Sequence, residues 1–279
     1  MVKEAGEQWR EKGSIQIQSE RIMKLKYFMF ILIVPFYVFA QIEEVKTADK
    51  VLLIYNTDFF NDDTKQWHFS SIEYQMKENF GTFIPRINFA NRFSNSEFQF
   101  EADAYILFSQ KTYLFLNTGF SEGKVFPKGR AGIEFYQVLP NDFELSAGYR
   151  YLYFSPNKVN IYTGSLGYYF GDYWISFRPF FVDESGNETK STFTLTARRY
   201  FIDSENYLTL KTGFGSYPVS GNTQADFFRN DSKFFGVDYQ FYIFEKTTIQ
   251  VGFLFENEEL SIDRSRNRYN FLLAFQKIF

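Results

Sequence analysis

The residues best suited to bond-making chemistry stand close together: His68, the only histidine in 279 residues, precedes Ser70 by two positions. A neutral imidazole can take the hydroxyl proton of a serine, and a third polar group that orients the ring completes a nucleophilic set. In an extended chain, residues two apart share a face, so His68 and Ser70 would point the same way. They fall on the parity of Ile72, Tyr74 and Met76, an apolar face. A tight turn over Glu78–Gly81, with Lys77 opposite Thr82, would set Asn91 across from His68. Three polar groups on a lipid-facing patch near a rim could hydrolyse a lipid ester. Beside Trp67 the same pair reads equally well as part of a polar-aromatic girdle.

Other chemistries lack their residues. There is no Cys, which removes thiolate metal sites, disulfides and a Cys nucleophile, and no glycine-rich phosphate loop opens a helix. No metal and no cofactor is expected. The 30 basic and 33 acidic residues give a formal charge of -3, so no basic field draws nucleic acid to the chain.

The elements that must hold His68 and Ser70 are strands. Aromatic residues are 22% of the chain, with 38 Phe and 20 Tyr, while the mean hydropathy is -0.30. A transmembrane barrel combines these properties, because apolar and polar residues alternate along every strand. Phe143, Leu145, Ala147, Tyr149, Tyr151 and Tyr153 share one parity, with Glu144, Ser146, Gly148 and Arg150 on the other. A soluble sandwich would share that period of two, so the connections must decide. Strands are expected over 51–60, 66–77, 82–93, 98–108, 112–121, 129–139, 143–154, 159–170, 173–183, 189–201, 207–217, 231–243, 247–256 and 266–279. Tight turns at Glu78–Gly81, Pro140–Asp142, Gly171–Asp172 and Phe244–Lys246 alternate with longer connections at Glu122–Lys128, Glu184–Glu188, Pro218–Asn230 and Asn257–Ser265, although Ser94–Glu97 is short for an outward connection and Ile202–Asn206 slightly long for a periplasmic turn. The expected fold is therefore all-β: a transmembrane antiparallel up-and-down β-barrel of about 14 strands (12–14) over residues 51–279, with both termini in the periplasm.

With the apolar parity facing lipid, the lumen receives Glu73, Glu101, Asp103, Glu134, Glu144, Asp238 and Glu256, together with Arg86, Arg92, Arg130, Arg150, Arg178 and Arg198. Such a near-balanced set suits a cross-linked, narrow or partly occluded interior, whereas a selective open pore favours one sign at a constriction. The charges either hold the wall together or line a gated passage for a small solute.

Residues 23–40 form a signal peptide: Lys24 and Lys26 precede an apolar run from Tyr27 to Phe39, and Ala40 supplies the small residue before cleavage. Residues 1–22 precede that leader and read as an upstream extension, with Met23 the expected start. Residues 41–50 would be a short periplasmic segment. The final strand carries Tyr269, Phe275 and Phe279 on one parity with Phe271 and Leu273, resembling the signal by which the barrel-assembly machinery recognises its clients. Expected partners are outer-membrane lipid, that machinery, and an extracellular or periplasmic protein or glycan met by the loop Pro218–Asn230, with Phe227 and Phe228 beside Asp226 and Arg229.

Two resemblances bear on function. The His-x-Ser pair with Asn91 resembles the site of outer-membrane phospholipase A, and the pair alone the His-x-Ser of the lipid A deacylase, over three residues only. The segments RINFANRF (Arg86 to Phe93), FEADAY (Phe100 to Tyr105), FPKGRAGIEFYQVLPNDFELSAGYRYLYF (Phe126 to Phe154), VNIYTGSLGYYFGDYWISFRPFF (Val159 to Phe181) and ARRYF (Ala197 to Phe201) resemble the YaiO-type outer-membrane β-barrel family. That resemblance implies a single-domain barrel in the outer membrane and no particular activity. Some relatives carry helical tetratricopeptide repeats, for which the stretch between Gln41 and Val51 is too short.

Overall fold

The structure is a computed structural model and describes residues 48–184, 189–216, 231–261 and 263–279. The signal peptide, the Met23 start and the loop Pro218–Asn230 lie outside the described residues.

Fourteen strands form a closed antiparallel barrel in which each pairs with its neighbours in sequence. In chain order they are β1 (Lys50–Phe60), β2 (Trp67–Glu78), β3 (Gly81–Arg92), β4 (Asn95–Ser109), β5 (Thr112–Ser121), β6 (Gly129–Val138) and β7 (Phe143–Phe154). There follow β8 (Asn157–Phe170), β9 (Tyr173–Glu184), β10 (Lys190–Tyr200), β11 (Tyr207–Gly215), β12 (Asp231–Phe244), β13 (Thr247–Ser261) and β14 (Arg264–Ile278). Closure comes from β1 against β14, in the register Leu53 to Phe275 and Asp58 to Asn270. Closing the sheet removes both edges, so the backbone of the wall is satisfied without water.

The two faces separate by parity. Outward positions leave large apolar side chains uncovered, such as Ile72, Phe98, Phe120, Phe214, Phe235 and Leu273, each between 49% and 62% exposed. An apolar band of that extent around a whole barrel requires an apolar medium. Aromatic rings cluster outward at the rim that carries the termini, where Phe143 stacks on Tyr168 at 4.6 Å and Phe170 on Tyr173 at 5.2 Å, the arrangement of an interfacial girdle. Inward positions are mostly polar and buried, including Glu73, Gln99, Glu101, Glu134, Thr192 and Gln240.

Three sequence expectations need correction. The span Asn257–Ser265 is not a long loop: β13 runs to Ser261 and β14 starts at Arg264. Within it Glu258 faces inward and is met by Arg266 Nε at 2.5 Å, so the ladder continues past Glu256 instead of ending there. Trp67 does not belong to an outward girdle, being only 2% exposed and turned into the barrel among Arg92, Arg266 and Arg268. The interior is also not uniformly wet, because Leu152, Phe154, Val159, Ile161, Phe180 and Val182 form a buried apolar cluster on the inner faces of β7, β8 and β9.

Candidate functional site: a lumen bridged by charge and narrowed by its connections

A fourteen-stranded wall encloses more space than its side chains fill by simple packing, lying between the filled eight-stranded and the water-filled sixteen-stranded barrels. Long side chains and connections occupy that space here. Arg86 on β3 is the hub of one cluster, its guanidinium reaching Glu73 on β2 at 2.8 Å and, on β4, Glu101 at 3.4 Å and Asp103 at 2.9 Å. Arg130 on β6 meets Glu101 at 3.2 Å, and Asn117 donates to both Glu101 and Asp103. Arg86 and Arg130 offset the cost of burying three acids side by side on two strands.

A second cluster centres on Glu134. Arg178 reaches it across β7 and β8 at 2.6 Å, the hydroxyl of Ser146 donates to it at 2.6 Å, and Arg150 stands 3.7 Å away. Gly148 makes this approach feasible, since a Cβ there would lie 2.8 Å from the Glu134 stem. Glu144 accepts from Tyr113 at 3.0 Å. Among the described residues Arg198 joins no acid. It lies 4.1 Å above the ring of Tyr207 and donates to Thr209 at 3.0 Å, a cation held by an aromatic face.

A third cluster stitches the closure seam. Arg268 on β14 grips Asp58 on β1 with two parallel bonds of 2.8 and 2.9 Å, Asn270 adds a third at 2.8 Å, and Glu256 and Arg92 stand at 3.5 and 3.9 Å from this pair. Asp58 and Arg268 were not singled out in the sequence, although both lie on the inward parity of their strands. Asp238 pairs with Lys211 at 2.8 Å.

Both mouths are narrowed by connections that turn inward. At the rim away from the termini, the segment Glu122–Lys128 between β5 and β6 folds into the lumen, burying Val125 and Phe126 against Ala90 and Phe69. Glu97 clips it there. One carboxylate oxygen accepts the N–H of Gly123 at 2.6 Å and of Lys124 at 3.2 Å; the other accepts those of Val125 at 2.6 Å and Phe126 at 2.8 Å. Four charge-assisted bonds from consecutive backbone amides form an anion nest around a side chain of the wall. At the terminal rim, the turn 201–206 sends Glu205 across to Lys50 on β1 at 2.5 Å and Gln276 on β14 at 2.6 Å. The expected strand over 98–108 leaves Glu97 outside the wall, whereas β4 includes it.

Between the mouths remains a cavity of about 400 Å³, lined among others by Ile54, Phe69, Arg92, Lys211, Phe234 and Arg268.

The hydrolytic set is placed differently. His68, Ser70 and Asn91 share the outward parity, and Asn91 pairs in register with His68. Yet His68 Nδ1 is taken by the hydroxyl of Tyr55 at 2.8 Å, and the amide of Asn91 donates to Ser96 at 2.8 Å. Among the described residues no hydrogen bond joins His68 to Ser70 or Asn91. A shallow outer hollow is lined by Lys65, Gln66, His68, Phe89, Asn91 and Ser94, without Ser70.

A family model described as the YaiO membrane beta barrel domain matches residues 48–220. No curated protein matches the sequence. Among solved structures, the outer membrane protein Omp33 of Acinetobacter baumannii is 12% identical, with a TM-score of 0.51 over 83% of this chain and 99% of that one. A bacterial polysaccharide outer membrane secretin is 8% identical, with a TM-score of 0.54 over 85% and 100%. At these identities the likeness is one of fold.

Proposed function

Because the chain belongs to the YaiO membrane β-barrel family, we propose that it is a narrow, gated solute conduit of the outer membrane, non-enzymatic and closed at rest. The periplasm lies at the rim of the termini and short turns, and the cell exterior at the other, as the alternation of connection lengths suggests. The observation that carries this reading is the segment Glu122–Lys128, which occupies the outer mouth and is held by one wall carboxylate, Glu97. A connection tied by hydrogen bonds can leave without breaking the wall, because its backbone joins the strands only at its foot, where Ser121 donates to the Lys128 carbonyl at 3.3 Å. A barrel that served only as a wall would need neither a clip at its mouth nor a cavity behind it. The ion pairs around Arg86, Glu134 and Asp58 bridge wall strands without requiring an open pore.

In planar bilayers the wild-type protein should show rare, small openings, and Glu97→Gln should open more often. Large steady steps from the wild-type protein would overturn the reading.

A further inference from the structure

We infer that the internal cavity is a binding site for a small amphiphilic monoanion, a medium-chain carboxylate in its simplest form. The inward face of a membrane barrel is ordinarily polar, yet one side of this cavity is apolar. Ile54 on β1, Leu272 and Ala274 on β14, and Leu254 on β13 form its wall, with Phe234 of β12 beside them. Ile54 stands opposite Ala274 in register, so the patch is continuous across the closure seam. Its volume of about 400 Å³ lies in the range of small-molecule sites, roughly 300–1,000 Å³.

The polar side supplies one accessible cation. Arg268 is committed to Asp58 by two bonds and stands 5.4 Å from the ring of Trp67, and the guanidinium of Arg92 lies 5.1 Å from that same ring. Lys211 differs: its side chain keeps 34% of its surface exposed while pairing with Asp238 at 2.8 Å. An ammonium carries three donors, so further donors remain beside the one used by Asp238. Two inward glycines seat this pair flat against the wall. A Cβ at Gly236 would lie 2.9 Å from Lys211 Cε, and one at Gly252 would lie 2.3 Å from Asp238 Oδ1. Their absence of side chains leaves the ammonium beside the apolar patch. Glu256 also lines the cavity and disfavours a second negative group. An apolar body with one anionic head satisfies both sides, whereas a cationic head would face the like charge of Lys211 and a dianion that of Glu256.

The inference deepens the conduit reading by naming the solute class, and rests on it only for access to the lumen. Its test is saturable binding of labelled octanoate to the purified protein in lipid nanodiscs, measured above empty nanodiscs. One site per barrel is expected, with octylammonium failing to compete. Lys211→Gln and Leu272→Asn should each weaken binding about tenfold, while Lys211→Arg retains it. The heat-modifiable gel mobility of each variant reports whether the barrel has formed. If Lys211→Gln does not form, Leu272→Asn and the octylammonium control decide. Glu97→Gln is measured alongside, so that a mouth that stays shut cannot hide the site. Binding to that variant alone supports the inference. Absence of saturable binding in both proteins, or equal binding by Leu272→Asn, overturns it and leaves the conductance result standing by itself.

Discussion

The carboxylate of Glu97 accepts the backbone N–H of Phe126 at 2.8 Å, although the two residues are 29 positions apart. Glu97 belongs to the wall and Phe126 to a connection, so this bond, with three others to the same carboxylate, ties the connection into the outer mouth. Glu97→Gln keeps the volume but leaves one neutral oxygen for four amide donors, a loss of about 2 kcal/mol or more in holding the segment. Trypsin should then cut after Lys124 or Lys128 in the variant much faster than in the wild-type protein. Equal cutting rates would show that the clip does not hold the segment.

Arg86 neutralises three acids on two neighbouring strands. Replacing it with Leu takes the cation from Glu73 and Asp103, leaves Glu101 with Arg130 alone, and should cost about 3–5 kcal/mol. The midpoint of urea unfolding in lipid vesicles should fall accordingly, and Arg86→Lys should recover part of it, since a single ammonium cannot reproduce the guanidinium's three contacts.

Asp49, just before β1, is held below its ordinary value of 3.8 by the hydroxyl of Tyr74, with the N–H of Lys77 as a second cause. The folded chain thus binds the ionised form more tightly than the unfolded chain does. Its contribution is complete above the ordinary value and is lost as pH falls through the lowered one, below about pH 4. Corrected for intrinsic rates, amide exchange at Lys77 should accelerate in that window. Asp49→Asn should remove the pH dependence.

The proposed non-enzymatic role predicts that the barrel releases no fatty acid. Purified wild-type protein and His68→Ala should both leave phospholipid and lipid A intact. Release by the wild-type protein that disappears in His68→Ala would return the hydrolytic reading to first place.

The sequence made the wall legible because its information is local. Parity along 143–154 assigns each side chain to a face without any knowledge of its neighbours. It also carried a usable signal for Trp67, which shares parity with Glu73 and not with His68. The stretch after Glu256 was harder for a physical reason. Asn257 and Glu259 face outward at a height where polar side chains replace the apolar band, so both faces of the hairpin are polar and the period that marks a strand fades. The clips by Glu97 and Glu205 were not legible, because each depends on where a connection turns once the barrel has closed. The same holds for the closure-seam pair Asp58 and Arg268, 210 positions apart.

The chain has no native Cys, which allows a direct test of the filled mouth. Ala90 and Val125 are packed together where the segment meets the wall, and a double Ala90→Cys, Val125→Cys variant would tether them. Single-channel recording of that variant under oxidising and then reducing conditions should show openings abolished by the tether and restored on reduction. Openings that continue unchanged with the tether closed would contradict a lumen gated by this segment.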